Sequence, residues 1–210
     1  MDLSTTALPT DTVGLLEGLT TTRAIRRYRR EPIPPHDLRA ILFGATRAPS
    51  GSNRQPFRFV VLTDGPKSQD AKRLIGAAAR DMWTAKSAAD SYDVGSGRID
   101  NSPKARMAHT MQRFVDEFEH VPALVLPCLQ RYREASSFEG SSIYPACQNM
   151  LLAARALGYG GVLAGWHGTV DAELRELLGI PTDVVIAATI SLGRPEGRHG
   201  PVRRLPLDQL

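Results

Sequence analysis

The sequence is poor in cysteine, with only Cys128 and Cys147 among its 210 residues. Each lies in an apolar segment, so we predict two buried thiols rather than a disulfide framework or a four-ligand zinc site. The sequence also lacks an uninterrupted apolar run of the ~18 to 20 residues that a membrane helix needs. Its start, MDLSTTALPT, has no basic flank followed by an apolar run, as a secretory signal would have. We therefore expect a cytoplasmic protein with no membrane partner.

Metal-ligand patterns are missing as well. The histidines are dispersed and show no HxxxH or HExxH spacing: His36, His109, His120, His167 and His199. Zinc sites typically combine two such ligands on one helix face with a third, or cluster cysteines and histidines. We therefore predict that the protein binds no metal.

Positive charge is only slightly in excess. The chain has 26 Lys and Arg against 22 Asp and Glu, a formal net charge of +4. Arginines concentrate in one cluster at Arg23–Arg30 and in a second at Arg194–Arg204. A nucleic-acid-binding module would use the first cluster to follow a phosphate backbone, with exposed aromatic residues between the basic ones. Because that interleaving is missing and the net charge is small, we expect no nucleic acid partner.

The hydrophobic periodicity predicts one α+β domain over residues 1–210. Apolar residues at helical spacing predict helices at Val13–Leu19, His36–Arg47, Lys67–Asp90, Lys104–Glu119, Pro145–Gly158 and Leu174–Leu178. Apolar and β-branched runs predict strands at Phe57–Thr63, Val121–Leu129 and from Val184 to Gly193. Pro127 indicates that the second of these strands lies at a sheet edge or is irregular.

Four motifs hold most of the information about function. They are TTRAIRRY at 21–28, PSGSNRQPF at 49–57, ALGYGGVLAGW at 156–166 and RRLPL at 203–207. In this order they resemble the landmarks of the FMN-dependent nitroreductase family, and the resemblance covers roughly Thr20–Leu210.

The resemblance implies an α+β fold with a mostly antiparallel central sheet flanked by helices. It also implies a homodimer with FMN at the subunit interface and contacts from both chains. Residues 1–19 would form an N-terminal lead and helix, and residues 82–120 a variable lid that contacts the substrate. Residues 194–210 would form a C-terminal extension that wraps the partner subunit.

The first and last motifs supply the phosphate ligands that the resemblance implies. Arg23 and Arg26 are three residues apart, so on a helix they would share one face and Arg27 would point away. Guanidinium groups suit a phosphate dianion, because each charge-assisted hydrogen bond contributes about 1.5 to 3 kcal/mol. The resemblance assigns Arg204 as a second phosphate-binding arginine. It also assigns Ala24 to this site, where relatives commonly have a serine.

The second motif is a polar loop that leads into an apolar strand. Gly51 permits a close backbone approach, and Ser50 and Asn53 carry hydrogen-bond donors and acceptors. In the resemblance, the loop contacts the flavin from the opposite subunit through Pro49, Ser50, Gly51, Asn53 and Gln55. A plain polar turn before a strand is the alternative.

The third motif has some likeness to a dinucleotide-binding fingerprint, through Gly158, Gly160 and Gly161. It follows a helix rather than a strand, and a leucine stands where the last glycine would be, so a Rossmann site is disfavoured. The resemblance instead places the isoalloxazine ring along Leu163, Ala164 and Gly165. Small residues there would let backbone N–H groups reach the N5 and O4 edge of the ring.

The resemblance implies an FMN-dependent oxidoreductase. In a ping-pong cycle, NADH or NADPH would pass hydride to flavin N5, and an electron-poor acceptor such as a nitroaromatic or a quinone would then be reduced. No catalytic acid, base or nucleophile is expected from the protein itself. Thr22 and Ala24 replace residues that commonly grip the phosphate, so two alternatives stay open. One is a non-catalytic flavin-binding or flavin-sequestering protein, and the other is a relative that uses a deazaflavin.

Overall fold

The structure is a computed structural model that describes residues 8–136 and 138–210, so residues 1–7 of the expected N-terminal lead lie outside it. The described residues form helices on both sides of an antiparallel sheet. The helices are α1 (Leu15–Thr21), α2 (Pro35–Thr46), α3 (Pro66–Ala89), α4 (Pro103–Asp116), α5 (Tyr144–Ala156) and α6 (Asp171–Leu178). They confirm the predicted helices to within about three residues at each end. None of these described helices is long and apolar enough to cross a membrane.

The sheet confirms the antiparallel architecture. Its strands are β1 (Phe57–Leu62), β2 (Ala123–Gln130), β3 (Gly160–Ala164), β4 (Val184–Ile186) and β5 (Thr189–Gly193). The strand order is β1-β2-β5-β3, and β4 pairs with the end of β2. Every strand pair is antiparallel. The third predicted strand is therefore two strands, which are interrupted at Ala187 and Ala188.

Pro127 does not mark a sheet edge, so that expectation is wrong and the alternative, an irregularity, holds. Strand β2 is central, with β1 on one side and β4 and β5 on the other. The carbonyl of Pro127 accepts a hydrogen bond from the N–H of Ala187 at 2.8 Å, in the break between β4 and β5. Because proline has no N–H to donate, it is tolerated where the neighbouring strand is interrupted.

Strand β2 separates two hydrophobic cores. Val125 and Leu129 face the core that includes α2 and α5, whereas Leu124 and Leu126 face the core that includes α3 and α6. Successive strand residues point to opposite faces, so a strand that is covered on both faces needs apolar residues throughout. This explains the unbroken, fully buried apolar run Ala123–Leu129.

Helix α5 ends as its sequence predicts and leads directly into the candidate site. Pro145 lies in its first turn, and Gly158 adopts a φ of +78° just after its last residue. Small residues let α2 pack closely against it, because a Cβ at Gly44 would lie only 2.8 Å from the Cβ of Ala153. The close packing holds the end of α5 beside the start of β3.

Both cysteines are free and buried, which confirms the prediction of core thiols. Burial raises the pKa of Cys128 to about 11 and that of Cys147 to about 12. A thiol acts as a nucleophile only as a thiolate. Neither cysteine is therefore a candidate for covalent catalysis near neutral pH.

Candidate functional site

The TTRAIRRY motif does not continue α1. The helix ends at Thr21, and Thr22 is already extended, with φ −70° and ψ 114°. The hydroxyl of Thr20 donates back to the carbonyl of Leu16 at 2.9 Å, and the hydroxyl of Thr21 makes a similar bond one residue later. Such side-chain bonds are weakly unfavourable to helix continuation, and three consecutive threonines add a β-branched run.

Residues 22–28, which we call the opening segment, lie along the outer edge of β3. The N–H of Ile25 donates to the carbonyl of Gly161 at 3.0 Å. The contact is close because a Cβ at Gly160 would lie 2.5 Å from Cγ1 of Ile25 and 3.1 Å from Nε2 of His199. Only glycine leaves this space. The glycine-rich motif therefore serves close packing of the opening segment against the sheet.

The opening segment presents two different faces. Arg23, Ile25 and Arg27 form the Arg23 face, since their side chains lie nearest to Gly200, Gly160 and Gly197, respectively. Alternate residues of extended chain point to opposite sides. The residues that alternate with them, Thr22, Ala24 and Arg26, are called the Thr22 face. Arg26 lines a cavity beside α4 together with Arg27 and Arg30. The prediction that Arg23 and Arg26 share a helix face is therefore wrong, because the helix ends before them.

The Thr22 face contains two buried polar atoms without a protein partner among the described residues. They are the hydroxyl oxygen of Thr22 and Nε of Arg26. Burial lowers the pKa of the Arg26 guanidinium below its ordinary value. A buried polar atom that is left unpaired costs about 1 to 3 kcal/mol. Such atoms mark places where water or a ligand supplies the missing hydrogen bonds.

The outer edge of β3 is open beyond the opening segment. The carbonyl of Gly161 points away from β5 and accepts the hydrogen bond from Ile25. Backbone groups alternate along a strand, so the N–H and carbonyl of Leu163 also point away from β5. Gly165 is exposed, and a Cβ there would meet nothing within 4 Å. Its φ of −105° suits any residue. Protein packing therefore does not require glycine at 165, and the free space suits a flat ligand.

The residues after Gly165 anchor this edge to the core. The ring of Trp166 packs against Phe114 and Phe118, with centroid distances of 5.4 and 5.3 Å. Nδ1 of His167 lies 3.2 Å from the hydroxyl of Thr189, and burial lowers the pKa of this histidine. His167 is buried, so it acts as a structural residue beneath the edge rather than as part of an open pocket.

The polar loop, residues 49–55, is exposed over most of its length and holds its own shape. The N–H of Gln55 donates to the hydroxyl of Ser50 at 2.9 Å, and the side-chain amide of Gln55 donates to Oδ1 of Asn53 at 3.2 Å. The N–H of Gly51 donates to the hydroxyl of Ser142 at 3.2 Å. These bonds stabilise a preformed polar surface.

The polar loop also stores backbone strain. Ser52, Asn53 and Gln55 have φ values of 52°, 51° and 50°. Non-glycine residues seldom adopt this left-handed region, and such residues tend to cluster at ligand-binding sites. The strain favours the functional interpretation of the loop over a plain turn.

One chain does not bring the polar loop and the β3 edge together. The loop leads into β1, and β1 and β3 are the two ends of the strand order. Three strand spacings separate them, which amounts to about 14 Å. Within one chain, the polar loop and the outer edge of β3 therefore lie at opposite ends of the sheet.

The tail, residues 194–210, approaches the opening segment from the other side. The N–H of Val202 donates to the carbonyl of Thr20 at 3.1 Å, which places this part of the tail beside the end of α1. Arg204 follows two residues later and is exposed, and its guanidinium donates to the carbonyl of Arg203 at 2.8 Å.

Two further predicted site residues lie in elements already described. Pro49 is the first residue of the polar loop, and Ala164 is the last residue of β3, where it pairs with Thr189.

The segment 82–120 packs beside the opening segment. Nε1 of Trp83 donates to the side chain of Gln112 at 2.9 Å and joins α3 to α4. A cavity of about 530 Å³ lies between α4 and the opening segment, and Arg27, Arg106 and His109 contribute to its lining. The expected lid is therefore next to the candidate site.

Sequence reasoning missed two residues with buried, unpaired atoms. They are Arg155, with its Nε, and His199, with its Nδ1. Arg155 has the pattern of an ordinary basic residue in the last turn of a helix, and His199 lies in a Gly- and Arg-rich tail. No sequence signal distinguishes either residue, because their proximity depends on how the tail folds back.

Comparisons with known proteins identify the family of this chain and several relatives. The model of the nitroreductase family matches residues 19–194. The chain is 29% identical over 206 residues to the NADH dehydrogenase of Thermus thermophilus, with 90% of each protein covered. It is 27% identical to the NADPH-flavin oxidoreductase of Vibrio harveyi, covering 91% of this chain and 70% of that protein. Its fold is similar to that of a nitroreductase with bound FMN from Bacteroides fragilis, with a TM-score of 0.66, 24% identity and coverage of 95% and 98%.

Proposed function

Because the chain belongs to the nitroreductase family, we propose that it is a flavin-dependent NAD(P)H oxidoreductase with FMN as its cofactor. Its acceptor is an electron-poor conjugated molecule, such as a nitroaromatic or a quinone. The observation that carries this proposal is the pair of buried, unpaired polar atoms on Thr22 and Arg26, in the segment that contacts the outer edge of β3 through Ile25.

The donor set fits FMN at two places. On the Thr22 face, the hydroxyl of Thr22 and the guanidinium of Arg26 would bind the phosphate and its neighbouring polar groups, with Arg204 from the tail. Along β3, the outward backbone N–H groups of Leu163 and Gly165 would meet the polar rim of the ring, and the space beside Gly165 admits a flat group. The related Bacteroides fragilis structure contains bound FMN, which supports this choice of cofactor.

FMN supplies the two-electron redox chemistry when it is bound. The residues of the chain bind it, orient it and limit the access of water. Fixed N–H groups along β3 offer hydrogen bonds where negative charge develops during reduction. Donor and acceptor would use the same open edge in turn, so we expect ping-pong kinetics.

We propose that the protein works as a homodimer. The polar loop of one chain would reach the β3 edge of the second, which accounts for their separation within one chain. Leu15 and Leu16 on α1 are 72% and 77% exposed, and Leu207 in the tail is 88% exposed. Large exposed apolar side chains of this kind favour an interface. Residues 1–210 would form one domain, with 82–120 as the lid and 194–210 wrapping the partner.

The direct test is a visible spectrum of protein that has been loaded with FMN and freed of excess. We expect a retained flavin band that bleaches when NADH or NADPH is added without oxygen, and that returns when a nitroaromatic or quinone is supplied. Arg73→Ala serves as the control, because Arg73 is an exposed residue on α3 that pairs with Asp70 on the same helix.

Other outcomes separate the alternatives. A retained band that neither donor bleaches would identify a flavin-binding protein without this activity. If the protein does not retain FMN but retains a deazaflavin, its cofactor is a deazaflavin. Retention of neither would contradict the assignment of the Thr22 face.

A further inference from the structure

A second, basic cavity lies on the tail side of the opening segment. Its volume is about 430 Å³. Its charged and polar lining comes from Arg29, Arg155, Arg194, Arg198 and His199. The remaining lining residues are glycine and proline, so no acidic side chain lines it. We call it the basic cavity.

The charges around the basic cavity are not balanced. Nη2 of Arg155 lies 3.4 Å from the carboxylate of Glu17, and Nε of Arg194 lies 3.3 Å from that of Glu31. Within residues 8–136 and 138–210, no ion pair involves the other two lining arginines, Arg29 and Arg198. Two positive charges therefore remain without a counter-charge. This excess matches a ligand with two negative charges.

Two lining residues also contain buried polar atoms that lack a partner. Nε of Arg155 and Nδ1 of His199 make no hydrogen bond within the described part of the chain. The histidine is held in place, since its Nε2 lies 3.0 Å from the carbonyl of Tyr159 and its ring rests against Gly160. An unpaired buried donor such as Nε of Arg155 is costly unless a ligand satisfies it. Because Nε2 of His199 donates to a carbonyl, Nδ1 of the neutral ring is an acceptor.

Burial and the nearby positive charges of Arg155 and Arg23 lower the pKa of His199. A bound anion would offset the positive charge of both arginines and accept a hydrogen bond from Nε of Arg155. The lowered pKa of His199 therefore agrees with an excess of positive charge around the basic cavity.

We propose that the basic cavity binds a phosphomonoester dianion. Arginine guanidiniums form bidentate, charge-assisted hydrogen bonds with phosphate oxygens, and the two uncompensated arginines would neutralise the ligand. The site is separate from the Thr22 face, with which it shares no residue. Its existence does not depend on the identity of the flavin.

The ligand is either free phosphate or a phosphate group on a small molecule, and a calorimetric titration separates the two. The FMN-loaded protein is titrated with inorganic phosphate at fixed ionic strength, then with adenosine 2′-monophosphate and with adenosine. We expect saturable binding of inorganic phosphate that leaves the flavin bound. Tighter binding of the nucleotide, with none of adenosine, would show that the cavity accepts a substituted phosphate.

Variants test the assignment to the basic cavity. Arg198→Ala should weaken phosphate binding about tenfold, the loss of one charge-assisted hydrogen bond, whereas Arg198→Lys should retain most of the affinity. Arg198 is exposed, so neither change should alter thermal unfolding. Arg73→Ala removes the same charge far from the cavity and should have no effect.

Three results would overturn the proposal. The first is the absence of saturable phosphate binding to the unaltered protein. The second is an equal loss with Arg73→Ala, which would indicate a general charge effect. The third is release of FMN by phosphate in proportion to its binding, which would place the phosphate in the flavin site. Because calorimetry reads phosphate directly, a protein without flavin turnover would still give an answer.

Discussion

The two faces of the opening segment differ although they alternate along the same seven residues. The Thr22 face combines a hydroxyl, a methyl group and a single arginine, and it borders the open edge of β3. The Arg23 face packs Ile25 against Gly160 and brings Arg23 and Arg27 near the tail, although Arg27 also lines the cavity beside α4. The five arginines within Arg23–Arg30 thus do not form one basic patch. Arg26, Arg27 and Arg30 line a cavity beside α4, whereas Arg29 lines the basic cavity.

The remaining arginines of this cluster, Arg29 and Arg30, also lie on different surfaces. Arg30 lies 4.0 Å from the carboxylate of Glu117, in an exposed pair, as expected for a solvated surface residue. Arg29 instead lines the basic cavity, and its N–H donates to the carbonyl of Arg194 at 2.9 Å. Neighbours in sequence therefore have different electrostatic roles.

The largest effect is expected at Gly160, because both faces of the opening segment depend on its contact with Ile25. Gly160→Ala would place a Cβ 2.5 Å from Cγ1 of Ile25. The opening segment would have to move, so we expect a loss of about 2 kcal/mol in the free energy of unfolding, with loss of both FMN and phosphate binding. Urea denaturation checks the first effect. An unchanged unfolding free energy would contradict the close packing described here.

The next effect separates the two faces by function. Arg26→Ala removes the charged donor of the Thr22 face, so FMN retention should fall by roughly tenfold to a hundredfold. Binding of phosphate in the basic cavity should stay unchanged. Equilibrium dialysis measures the first and calorimetry the second. If phosphate binding falls equally, the two faces are not independent.

A smaller effect tests the open edge of β3. Gly165→Ala meets no atom within 4 Å and requires no unusual φ, so stability should change by less than about 0.5 kcal/mol. FMN affinity should nevertheless fall several-fold, because the methyl group occupies the space proposed for the ring. Comparison with Gly160→Ala under the same denaturation conditions is the internal control. Unchanged FMN binding would remove residue 165 from the site.

The smallest effect on the flavin is expected at Arg23. The family resemblance assigns this residue to the phosphate, whereas the structure directs it to the tail near Gly200. Arg23→Ala should therefore change FMN affinity only about twofold, as is usual for a distant exposed charge. Equilibrium dialysis measures the FMN affinity of this variant and of Arg26→Ala under the same conditions. An equal loss of FMN affinity in both variants would show that Arg23 and Arg26 act together on the phosphate.

Much of the fold follows from local sequence. Pro145 and Gly158 bound α5, and the aromatic and β-branched residues at 57–62 form β1, because caps and side-chain periodicity act over a few residues. Pro127 was harder to interpret. Proline excludes one backbone hydrogen bond, and the sequence does not reveal whether a sheet edge or a break in a neighbouring strand accommodates that loss.

The sequence by itself determined the helices, strands β1 and β2, the four motifs and the family, because these depend on residue type and spacing. Only the tertiary structure decided that the helix ends before the opening segment, and therefore which arginines lie together. It also decided that Arg155 and His199 meet across a gap of 44 positions in the chain. The physical reason is that a side chain's direction and its unpaired atoms depend on long-range packing. Here that packing consists of a glycine-lined contact among the opening segment, β3 and the tail.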